Sequence, residues 1–100
     1  MTVALLARVI AIADRCLEGG PAVTLSEKAA GELIAELEAA ILRQEQPLLG
    51  FDAVMLVHCL LQRTCALADG RPEIVTRFEQ HARGILAFLR TDLVMAEARQ

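Results

Sequence analysis

His58, Gln62, Cys65 and Asp69 fall on one line of a helical segment, at i, i+4, i+7 and i+11. Imidazole and thiolate bind zinc, so the first chemistry to test is a metal site. Structural zinc sites draw four His or Cys ligands from paired short motifs. This stripe offers two, and the chain holds one other histidine, His81. The stripe therefore reads as the one polar face of an otherwise apolar helix, and neither metal nor cofactor is expected.

Other chemistry fares no better. Glu32, Glu36 and Glu38 suggest a carboxylate-bridged di-iron bundle, but that chemistry needs inward-facing Glu-x-x-His pairs, and the chain contains none. These glutamates are a solvated face. No serine or cysteine stands beside a base in a polar setting, which removes ordinary nucleophilic catalysis. Cys16, Cys59 and Cys65 are odd in number, lack CxxC spacing and sit in apolar helical contexts. Reduced, buried thiols in a cytoplasmic protein are expected.

His81 and Asp92 lie near one angle of a later helix but three turns apart, too far to touch. An antiparallel second copy would bring His81 of one chain near Asp92 of the other and fix the register of a dimer. The bland alternative places both at the solvent edge of an ordinary amphipathic helix. His81-Ala82-Arg83-Gly84 resembles the phosphoacceptor segment of phosphotransfer four-helix bundles. It departs from that pattern by one residue between histidine and glycine. His81 is also expected to lean toward the apolar side, so the phosphoacceptor role is not carried over.

Four helical segments must position these residues. The first, about Thr2 to Glu18, ends at Gly19-Gly20-Pro21, where a left-handed glycine and a proline stop it. Thr24-Leu25-Ser26-Glu27 fits a capping box that starts the second, with Thr24 as the cap. Its stripe of Ala30, Leu33, Ile34, Leu37 and Ile41 is narrow, and it is expected to end near Gln46, before Pro47. Pro47 to Phe51 reads as an apolar connector tucked against the core, with Asp52 capping the third helix.

That third helix, Asp52 to Asp69, is apolar around nearly its whole circumference; His58, Gln62, Arg63 and Thr64 are its polar interior members. Such a helix must be surrounded. Gly70 and Pro72 make a tight turn into the fourth and longest helix, about Pro72 to Ala98, striped by Ile74, Phe78, Ala82, Ile85, Leu89, Leu93 and Ala96. At about 1.5 Å per residue it would run about 40 Å. Its last two turns are expected to overhang the bundle.

The expected fold is therefore all-α: one domain, residues 1–100, an antiparallel four-helix bundle of two helical hairpins with a long C-terminal helix. One hundred residues leave no room for two cores. Hydrophobic residues make up 55% of the chain, more than so small a bundle needs, so part of that surface is expected to be shared. A net charge of −3 argues against nucleic-acid binding. No run of about 18 uncharged apolar residues points to a membrane span, and no secretion signal is evident.

These readings converge on a small, non-catalytic protein-binding module of adaptor, chaperone-like, inhibitory or regulatory kind. It is expected to be a homodimer in a bacterial cytoplasm, binding itself, an unidentified protein, or both. Expected contacts lie on the fourth helix: Phe78, His81, Phe88, Leu89, Arg90, Asp92, Leu93 and Met95. A small DNA-associated transcriptional regulator and a metal- or ligand-binding bundle are the alternatives.

Overall fold

The computed structural model describes residues 2–43 and 47–98. The elements are α1 (Val3–Glu18), a short 3₁₀ turn (Gly20–Ala22), α2 (Glu27–Leu42), α3 (Pro47–Ala68) and α4 (Pro72–Ala98). The chain is an all-α bundle with a long C-terminal helix, and among the described residues there is no strand.

Local sequence sets each boundary. Thr2 caps α1, its hydroxyl accepting from the Leu5 amide. Gly20, at φ 73°, supplies the left-handed residue after α1. The cap of α2 is Ser26 rather than Thr24: the Ser26 hydroxyl accepts from the Ala29 amide at 3.1 Å. Glu27 is thus the first helical residue, where its charge meets the positive helix end. α2 ends at Leu42, short of the expected stop at Gln46, which lies outside the described residues.

The expected connector before Asp52 is instead the first turn of α3. Pro47 opens that helix, where its missing N–H costs nothing. Gly50 is buried there because α2 comes close: a β-carbon on it would stand 2.6 Å from Ile41 Cγ1. At the other end of α3, Gly70 (φ 67°) and Arg71 donate to the carbonyls of Leu67 and Ala66. This closes the paired-bond C-terminal motif that requires a left-handed residue.

Three contacts fix the register of the neighbours. Thr64 of α3 reaches Leu25 O just before α2, Arg8 of α1 pairs with Glu36 of α2, and Arg90 of α4 pairs with Asp14 of α1. The helices run up, down, up, down. α3 is the central member, packed against α1, α2 and α4, whereas α2 leans mainly on α3. The core gathers Leu6, Val9, Leu33, Leu37, Leu56, Val57, Leu60, Leu86 and Leu89. Leu49–Ala68 would be long and apolar enough to cross a membrane by length and composition alone. Here that stretch packs against α1, α2 and α4 and keeps one stripe exposed.

α4 sets the 43 Å long axis of the molecule. It outlasts α3, but the Asp14–Arg90 pair sets its last two turns beside the first half of α1. α1 therefore flanks the segment expected to overhang.

Candidate functional site

Two regions of the α3–α4 hairpin stand apart chemically. The first is a sealed pole at the C-terminal end of α3. Arg63 is the one charged residue between Ala53 and Ala68, and it is 1% exposed. Its guanidinium spends three donors on two separate segments. Nε donates to Glu79 Oε2 of α4 at 2.8 Å, Nη1 to Val23 O at 2.9 Å and Nη2 to Gly20 O at 2.8 Å. The two carbonyls belong to the connector between α1 and α2, which has few backbone partners of its own. A planar fork with fixed donors suits this task better than a lysine ammonium.

Thr64 and Arg83 complete the pole. The Thr64 hydroxyl lies 2.9 Å from Leu25 O and 3.0 Å from Leu60 O, and Arg83 donates to Leu17 O in the last turn of α1. Cys16 is buried nearby; burial pushes its thiol pKa up, and the positive charges of Arg63 and Arg15 partly offset that. Burial alone raises Cys59. Cys65, expected to be buried like the others, is exposed.

The second region is the outer face of the hairpin. The polar stripe of α3, His58, Gln62, Cys65 and Asp69, is exposed along its length. Toward the N-terminus the same stripe turns apolar at Phe51 and Met55, which are 54% and 49% exposed. Across from them on α4, Phe88 is 74% exposed and Met95 50%. Between the helices runs an open groove of about 470 Å³ lined by Asp52, Gln80, His81, Gly84, Ile85 and Phe88.

The expected contact residues divide among three places. His81, Phe88 and Met95 are on the outer face, and His81 is fully on the solvent side rather than leaning to the core. Asp92 is half-buried beside them. Leu89 belongs to the core of this chain, and Phe78 and Leu93 pack against it half-buried. Arg90 is exposed but engaged with Asp14. The reason is angular: Leu89 lies about 100° round α4 from Phe88, and α1 and α3 occupy that side.

Sequence reasoning missed Phe51 and Met55 as surface residues, because an apolar residue on a mostly apolar helix carries no sign of its side. It also missed the role of Arg63. The available signal was a lone charge in sixteen residues otherwise without one. Among the described residues, no three His, Cys, Asp or Glu side chains gather where they could hold a metal ion. The outer face offers apolar area with a carboxylate and an imidazole at its rim, and so can hold a complementary surface. No family model, no curated protein and no solved structure matches the chain.

Proposed function

We propose that this chain is a non-catalytic protein-binding module, acting through the outer face of the α3–α4 hairpin. The observation that carries this reading is the strongly exposed Phe88 lining the groove between α3 and α4, with exposed Phe51 and Met55 on the outer stripe of α3, whose Asp52 lines the same groove. Large apolar residues exposed singly need no explanation, and Leu42 and Val94 are of that kind. Exposed apolar patches rimmed by polar groups mark interaction surfaces. Exposed aromatic side chains at the centre of a patch are typical anchors of binding energy. Regulatory, adaptor and chaperone-like roles in a cytoplasm all use such a surface.

The DNA-associated alternative has less support. Arg63, Arg83 and Arg90 are committed inside the chain, which leaves Arg71 and Arg77 as a thin basic edge. A benzophenone amino acid placed at position 88 tests the reading. Illumination is expected to yield a covalent protein–protein adduct. No adduct, together with a mobility shift of duplex DNA that vanishes with salt, would replace this reading with the DNA one.

A further inference from the structure

α4 carries two stripes. The inner one feeds the core through Phe78, Ala82, Ile85, Leu89 and Leu93. The outer one, Arg77, His81, Gly84, Phe88, Thr91 and Met95, repeats at alternating spacings of four and three, and every member is exposed. That alternation is the seam of a two-helix coil.

Within the seam stands a residue the single chain does not need. Gly84 lies mid-helix, where glycine is a weaker helix former than alanine. Its φ is not positive, and a β-carbon built on it meets nothing within 4 Å. Neither turn geometry nor close packing inside the chain calls for it. One turn further on stands Phe88, the most exposed aromatic side chain described. A hole and a knob four residues apart on one face are self-complementary.

We propose that the occupant of the outer face is a second copy of this chain, joined antiparallel along α4 with the two-fold axis beside residue 86. The proposal rests on the reading that this face binds protein, and it names the partner and the register. With the axis there, Phe88 of each copy covers Gly84 of the other, as an isologous contact demands. The same register sets His81 opposite Thr91 of the second copy, one residue from Asp92. None of Arg77, His81 and Asp92 has an ion-pair partner among the described residues. Arg77 of each copy thus stands at the end of the pair that carries Asp92 of the other.

A parallel pairing would put glycine on glycine and phenylalanine on phenylalanine, with like charges together. Phe51 and Met55 are exposed on α3, whose Asp52 shares the groove with Gly84 and Phe88. The apolar anchors sit at the centre and the charges toward the ends.

The test combines mass and register. Light scattering at micromolar concentration is expected to give twice 10.9 kDa for the wild type. Phe88→Glu should give the single mass with thermal unfolding retained. Gly84→Ala should stiffen the isolated chain yet weaken its dimer about tenfold, since the added methyl fills the hole. For register, Gln80→Cys and Thr91→Cys chains are each prepared with Cys65→Ser.

Mixed, they should form a disulfide between unlike chains, because residues 80 and 91 stand within about 1.5 Å along the axis of an antiparallel pair. Either chain alone should not, its like residues being about 15–18 Å apart along the helices. Disulfides within each pure sample, or a wild-type monomer, overturn the proposal. If that monomer still forms adducts with a different protein from position 88, the binding reading stands without the dimer. A monomer with no adduct removes both.

Discussion

Arg63 and Phe88 belong to the same helical hairpin, yet each is where the other would be expected. The charge is sealed inside and the aromatic ring stands in water. The arginine sits at a place already rich in acceptors: two carbonyls of a connector and a carboxylate take its donors, so each group satisfies another. Its burial is explained entirely within the chain. Nothing among the described residues explains the ring. A polar residue inside is thus a statement about the fold, and an apolar one outside is a statement about company.

Substitutions can sharpen or break that contrast. The largest effect is expected from Arg63→Met, which removes the donor to Val23 O, leaves Gly20 O with only the Val23 amide and leaves Glu79 without its partner. Urea unfolding should show a loss of about 3–5 kcal/mol. A loss below about 1 kcal/mol would mean that the pole holds nothing together. Next is the cap of the connector that Arg63 ties down. Ser26→Ala should cost about 1 kcal/mol while Thr24→Ala costs close to nothing, and the reverse order would restore Thr24 as the cap.

Smaller still is an alkaline effect. The buried Cys16 and Cys59 thiols have raised pKa values in the folded chain, so their contribution is fully present below the ordinary thiol pKa. It is lost as pH rises through the raised folded values. Stability should therefore fall above about pH 8.5, and less so in a Cys16→Ala/Cys59→Ala chain than in the wild type. At neutral pH a maleimide should modify Cys65 alone. The smallest effect is the most telling: Phe88→Ser should change monomer stability by less than about 0.5 kcal/mol. A loss of 2 kcal/mol or more, on the order of a core truncation, would make the ring part of the core and erase the contrast.

Much of the fold was legible because its punctuation is strong. Gly19-Gly20-Pro21 and Gly70 with Pro72 allow few continuations, and the stripe of α4 is regular. The start of α3 was not, because proline can end one segment or open the next. What decided it was Gly50 meeting Ile41, a contact invisible in one dimension. Thr24 and Ser26 compete as caps for the same helix, and geometry alone chooses. Among the expected contact residues, Phe88 and Met95 are exposed on α4, and so is His81, which was expected to lean toward the apolar side. Leu89 was placed with them although it belongs to the core, and Phe51 and Met55 were left out. A helix apolar on most sides does not announce which side is left uncovered.

The reach of Arg63 also has a temporal side. Its two acceptors on the connector lie 40 and 43 residues earlier in the chain. At about 5–20 residues per second on the ribosome, the segment around Gly20 waits roughly 2–9 seconds for its clasp to be made. Until Arg63 is added, the connector between α1 and α2 lacks the donors that tie it to α3.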